Sequence, residues 1–218
     1  MMTAGAEGKE GGAMVKGTAI LAAVMIVVAS FGRAAAAEAV EEGHHGAGVF
    51  QHVHALAMDA AAHTLWLGAH AGLFRSENGG RTWTKITLPV KHDAPDVMAV
   101  TPDPRDAGTV YVATHEAGLF KTADGGRSWS EINSGLGGQD VHGLAVDPNA
   151  PIKLHALVRD QRQGLYRSTN GGEKWVRVDD GPGGETKIVT SVNLSTGMGG
   201  IFLYAGTAEG LQRSADCF

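Results

Sequence analysis

The sequence predicts an all-β fold, an incomplete β-propeller of about three and a half four-stranded antiparallel blades. Three observations carry that prediction. A twelve-residue stretch recurs as Gly72 to Trp83, Gly118 to Trp129 and Gly164 to Trp175, and begins a fourth time at Gly210. Its central Asx residue falls at Asn78, Asp124, Asn170 and Asp216, always 46 residues apart. Between copies the apolar residues alternate in short runs without a helical period, and 32 of the 218 residues are glycine. A fixed period of this size, built from short strands and turns, marks propeller blades.

The recurring stretch is a hairpin whose chemistry is legible. Leu73-Phe74-Arg75 and its copies favour a strand. A hydroxyl residue follows (Ser76, Thr122, Ser168, Ser214), then the Asx residue, then paired glycines ending at Gly80, Gly126 and Gly172. Asx oxygens accept hydrogen bonds from the amides of their own turn, and glycine reaches positive φ without steric cost. Trp83, Trp129 and Trp175 open the return strand and can fold back over the turn, each indole burying about 150–250 Å². This motif resembles the Asp-box of BNR-repeat proteins, a group that includes bacterial sialidases, xyloglucan-cleaving glycoside hydrolases, sortilin and a photosystem II assembly factor. The resemblance spans Phe50 to Asp216. It implies a propeller in which the boxes are structural staples away from the ligand face. Repetition argues the same, because a catalytic group is needed once.

In chain order, Met1 to Ala37 reads as an export signal: Lys16, an apolar run from Ala19 to Phe31, and a small-residue cleavage site at Ala35-Ala36-Ala37. Glu7 and Glu10 cancel Lys9, so Met14 is the better initiator. An uncleaved anchor is the other reading, although the apolar run falls short of the roughly 20 residues a span needs. With the signal cleaved no stable membrane span remains, and either way the repeats are expected in the periplasm or secreted. Residues 38–48 form a polar leader with Glu41, Glu42, His44 and His45, expected to be mobile. The propeller follows over residues 49–218.

Strands are expected at Val53–Met58, Leu65–Ala69, Leu73–Ser76 and Trp83–Leu88 in blade one. Blade two follows at Val97–Val100, Val110–Thr114, Leu119–Thr122 and Trp129–Ile132, and blade three at Val141–Val146, Leu154–Val158, Leu165–Ser168 and Trp175–Val178. Blade four has Ile188–Asn193, Ile201–Gly206 and Leu211–Ser214, with no fourth strand. Asp59, Asp103 and Asp147 recur after each innermost strand as turn punctuation. The sequence stops before the tryptophan of the fourth box. A truncated reading frame, an outer strand donated by Gly48–Gln51, and a homodimer of half-rings closed in trans each account for this.

Composition narrows the partners. A net charge of −5 without a basic cluster argues against nucleic acid. A single cysteine, Cys217, leaves no intramolecular disulfide and no CxxC-type site. A 43% hydrophobic content supports a packed core.

Blade connectivity assigns the loops to faces. Counting strands outward from the channel, the box turns between the third and fourth strands share a face with the turns between the first and second. The opposite face carries the second-to-third turns and the connections between blades. His52, His54, His92 and His142 belong to those connections or to innermost-strand starts. His70 and His115 lie in second-to-third turns, and His44 and His45 lead in from the same side. Only His63 and His155 fall elsewhere. This face, with Glu116 and Asp160, is the candidate binding site.

Aligned on the innermost strand, His54, Met98, His142 and approximately Thr190 are equivalent, with His52, Asp96 and Asp140 two residues earlier. Both sets should point toward the channel mouth, since i and i+2 share a strand face. His54, Met98 and His142 are the candidate metal ligands: imidazole with thioether suits copper, and imidazole with carboxylate suits zinc. The alternative is that these histidines are repeated strand residues bonded to neighbouring backbone.

For catalysis the carboxylates on this face are Asp96, Asp140, Asp160, Glu116 and Glu209, with Asp96 and Asp140 the candidate acids of a glycosidase pair. The sialidase pattern is unfavourable: no Arg-Ile-Pro segment occurs, and Arg75, Arg167 and Arg213 are repeat-equivalent rather than a substrate triad. Gly143 to Pro148 is closer to xyloglucan hydrolases, but those carry more blades and aromatic clefts, and here only 6% of residues are aromatic. The expectation is an exported, non-catalytic binding or assembly module that presents a histidine-rich face to a protein, a glycan or a metal. The alternatives are a sialidase-like or glucan-cleaving hydrolase and a periplasmic copper- or zinc-handling protein.

Overall fold

The structure, a computed structural model, describes residues 39–40, 50, 52–91, 95–178, 186–193 and 201–214. Contacts divide the chain into Met1–Ala36 and Ala37–Phe218, and every described residue belongs to the second unit. The expected signal segment, His44, His45, His92 and Asp216 lie outside the described residues.

Among the described residues there is no helix; sixteen strands form four antiparallel sheets. Blade one runs β2 (Val53–Met58), β3 (Leu65–Ala69), β4 (Gly72–Ser76) and β5 (Trp83–Ile86) from inside out. A further strand, β1 (Ala39–Val40), pairs with Thr84 and Trp83 on its outer edge. Ala39–Val40 belongs to the leader expected to be mobile and uses the unpaired edge that β5 presents. The outer strand expected from Gly48–Gln51 for blade four lies, except for Phe50, outside the described residues.

Blade two is β6 (Val97–Pro102), β7 (Val110–Thr114), β8 (Gly118–Thr122) and β9 (Ser130–Glu131). Blade three is β10 (Val141–Val146), β11 (Leu154–Val158), β12 (Gly164–Ser168) and β13 (Val176–Val178). Blade four is β14 (Thr186–Asn193), β15 (Ile201–Thr207) and β16 (Gly210–Arg213), three strands among the described residues. The period-of-46 reading therefore fixed the elements almost residue by residue.

Innermost strands pack on one another in sequence, β2 on β6, β6 on β10 and β10 on β14. Central strands are buried on both sides, so they read as continuous apolar runs such as Val110-Tyr111-Val112-Ala113. Among the described residues no sheet precedes blade one. Its Leu56 is 65% exposed, whereas the register-equivalent Val100 and Leu144 are 7% and 5% exposed.

The boxes do what their chemistry requires. Thr122 Oγ1 accepts the Gly126 amide at 2.9 Å and donates to Asp124 Oδ1 at 2.7 Å. Asp124 Oδ1 in turn accepts the Arg127 and Ser128 amides, both at 2.9 Å. Ser76 with Asn78 and Ser168 with Asn170 repeat the pattern. Hydrogen bonding to Ser128 is the main force holding the Asp124 carboxyl far below its ordinary range.

Trp83 and Trp129 fold over their turns, and Trp129 and Trp175 bind blades together. Trp175 is buried and donates to Ile132 O of blade two at 2.7 Å, and Trp129 meets Trp66 of blade one edge to face. Arg75 Nη1 reaches Gly125 O of the next box at 2.6 Å, and Lys121 Nζ reaches Gly171 O one repeat later at 3.4 Å. The repeated cations are thus inter-blade clamps. Asp59, Asp103 and Asp147 accept amides of their own turns, as punctuation residues should.

Candidate functional site

Hydrogen bonds sort the loops as connectivity dictates. First-to-second turns bond to the boxes, Gly125 N to Gly108 O and Gly171 N to Ile152 O. Second-to-third turns bond to the inter-blade connections. His70 N donates to His52 O at 3.2 Å, His115 N to Asp96 O at 2.9 Å and Arg159 N to Asp140 O at 2.8 Å.

A second regularity lies in the innermost strands. Each breaks register where the chain turns into the blade, between Val53 and Ala55, Val97 and Ala99, and Val141 and Gly143. The extra residues are His54, Met98 and His142. A bulge inserts one unpaired residue and re-aims its side chain, a device that recurs beside functional sites. In blade four the break falls between Thr186 and Ile188, so Lys187, not Thr190, holds the equivalent backbone position. Lys187 lies 45 residues beyond His142, close to the 44 that separate His54, Met98 and His142, whereas Thr190 lies 48 beyond it.

These features assemble two clusters. In the first, His54 Nε2 lies 3.2 Å from Asp96 Oδ1 and His70 Nδ1 lies 2.8 Å from Asp96 Oδ2. In the second, His142 Nε2 and His115 Nδ1 lie 2.7 and 3.3 Å from Asp140 Oδ1. Within each cluster, one atom per residue falls within 4.8 Å of the others. Asp96 Oδ1, Asp140 Oδ1 and His115 Nδ1 are buried atoms that make no aligned hydrogen bond. Burial, with Arg159 and His115 nearby, pulls the His142 imidazole below its ordinary pKa against the opposing pull of Asp140.

Of the expected ligands, His54 and His142 fall in separate clusters, and Met98 holds the bulge of the blade between them. His70 and His115, placed by sequence only on the same face, are direct partners of Asp96 and Asp140. The one signal for this was the spacing of each turn histidine from the next blade's aspartate, 26 and 25 residues. His52, exposed at φ 54°, has its ring 5.8 Å from that of His70.

Asp160, expected on the binding face, spends its carboxylate on the chain itself. It accepts the Gln139 amide at 3.3 Å and the Asp140 amide at 3.1 Å, fixing the connection into blade three. Glu209 lies exposed in the β15–β16 turn. Asp96 and Asp140, the candidate acids, belong to different clusters, each flanked by two imidazoles.

Between blades one and two lies a cleft of 580 Å³. His70 and Asp96 of the first cluster and His115 of the second line it, together with Glu116, Ala117 and Phe120. Apolar and charged groups therefore meet in one concavity, the usual make-up of a binding site.

Comparison with solved structures places the fold. The GH74 xyloglucanase from Xanthomonas campestris shares 21% identity at a TM-score of 0.54, over 72% of this chain and 27% of that one. YCF48 bound to D1 peptide matches at 18% and 0.54, over 78% and 52%. An auxiliary nutrient binding protein from Bacteroides thetaiotaomicron matches at 13% and 0.55, over 76% and 38%. The chain thus spans about a quarter to a half of the length of these structures, and at such identities the likeness is one of fold. No curated protein sequence matches. The family model described as sortilin, neurotensin receptor 3, matches residues 71–187, more than half of the chain. The protein belongs to the Sortilin-Vps10 family.

Proposed function

We propose that this protein is an exported, non-catalytic binding module whose ligand, a segment of another protein, seats in the cleft between blades one and two. The cleft carries the reading: it is the place where the histidine clusters meet an apolar wall. Val90, Ala117 and Phe120 offer apolar contact, while Asp96, Glu116 and Glu131 offer acceptors for a peptide's amides or basic side chains. A neighbour of the same fold bound to a peptide lends support. Export rests on the charged, apolar and small-residue order of Met1 to Ala37.

Glycan cleavage is the second reading, favoured by the xyloglucanase neighbour and by the carboxylates of Asp96 and Asp140. Against it, each of these carboxylates is held between two imidazoles, and Asp160 is consumed by backbone amides.

Panning a random peptide display library on the purified protein tests the proposal. Selected peptides should bind wild type and lose at least about tenfold, roughly 1.4 kcal/mol, on Ala117→Trp, which fills the cleft. Peptides indifferent to that change would refute the cleft as the seat. Xyloglucan hydrolysis abolished by Asp96→Asn would replace the binding reading with the enzymatic one.

A further inference from the structure

We propose that the two clusters are a tandem pair of divalent transition-metal sites of the zinc class, His54–His70–Asp96 and His115–Asp140–His142. The inference does not depend on a peptide occupying the cleft. Each cluster offers two imidazole nitrogens and one carboxylate oxygen, a donor set that suits zinc and its neighbours. Ligands about 2.0–2.2 Å from a tetrahedral ion lie roughly 3.3–3.5 Å from one another. The carboxylate–imidazole separations of 2.7–3.3 Å need only a small outward adjustment to accept the ion.

The bland alternative is that these are histidines the fold requires. The repeat itself argues against that. The second-to-third turn donates its backbone amide to the inter-blade connection in all three blades, whether the residue is His70, His115 or Arg159. An imidazole is therefore not needed for that contact. Where Arg159 replaces histidine, no third cluster appears among the described residues. The innermost-strand bulge is likewise made by His54, Met98 or His142. The fold demands the bulge; only the clusters use the ring it aims.

The buried, unbonded atoms point the same way. Asp96 Oδ1 and Asp140 Oδ1 are withdrawn from water beside imidazole nitrogens, an arrangement costly for a carboxylate unless a cation meets it. His115 Nδ1 is unbonded in the same manner. Access is nevertheless open, since the His70 and His115 side chains are 68% and 41% exposed. Three protein donors leave a coordination position for water or an incoming group. Because His70, Asp96 and His115 also line the cleft, an ion at either site would face whatever enters it.

The test is titration of the full metal-stripped chain with Zn2+, followed by calorimetry and native mass spectrometry, with Co2+ as a visible-absorption probe. Two equivalents should bind per wild-type chain. His70→Ala, a change at an exposed ring that folding tolerates, should remove one equivalent, and so should His142→Ala. The double variant should bind none while keeping its wild-type circular dichroism. Absence of Zn2+ and Co2+ uptake by wild type at micromolar concentration would overturn the proposal. So would any equivalent retained by the double variant, or a wild-type total of one equivalent that is lost completely on either change alone.

Discussion

Leu56 and Leu144 occupy the same register position, two residues past the innermost-strand bulge, yet the structure assigns them opposite energetic weights. Leu144 is 5% exposed and packs with Tyr111, Val141 and Val146. Leu144→Ala removes about three carbon groups at roughly 0.8 kcal/mol each and leaves a cavity, so the loss should be about 3 kcal/mol. Leu56 is 65% exposed; Leu56→Ala forfeits about a third of the same transfer free energy and opens no enclosed cavity, which is below about 1 kcal/mol. For a chain of this length each kcal/mol moves Tm by about 2–4 °C, giving drops of roughly 6–12 °C and 2–3 °C.

The assay is thermal and urea unfolding of both variants at two protein concentrations, with amide exchange to locate the loss. Repeat units contact only their neighbours, so loosening from Leu144→Ala should concentrate in blades two and three. Equal losses for the two variants would refute the reasoning, because the outer side of β2 would then have to be covered in solution. A Tm that rises with protein concentration in wild type, and no longer does so in Leu56→Ala, would identify a second copy as the cover.

Other consequences follow from single residues. The buried His155 imidazole is pushed down to about 4, chiefly by desolvation and then by Arg167. The native state keeps it neutral while the unfolded chain takes up a proton near 6.5, so stability is full above that pH. It should decline as pH falls from about 6.5 to about 4, by up to roughly 3 kcal/mol. His155→Gln should flatten that part of the urea-denaturation profile, and an unchanged slope would contradict the assignment. Gly126 sits at φ 86°, and a Cβ there would lie 2.6 Å from Trp66 Cη2. Gly126→Ala should therefore cost about 1–3 kcal/mol in equilibrium unfolding, and a neutral result would mean that the Trp66–Trp129 contact between blades is looser than described.

Much of this protein was legible before any coordinates, because its information is local and repeated. Ser76-Glu77-Asn78-Gly79-Gly80 dictates its own turn through side-chain oxygens and positive-φ glycines, and three in-phase copies dictate blades. The faces followed from connectivity alone. What sequence did not show was long-range: His54 and His142 share a register position yet fall in separate clusters. Asp160 looked free because nothing nearby in sequence showed the Gln139 and Asp140 amides it accepts.

The sequence by itself determined the blades and the boxes, since each depends on residues a few positions apart. Only the tertiary structure decided that His70 joins His54 across Asp96, that His115 joins His142 across Asp140, and that both sites border one cleft. Those contacts join residues of neighbouring blades and depend on strand bulges and inter-blade packing, which no local pattern of residues encodes.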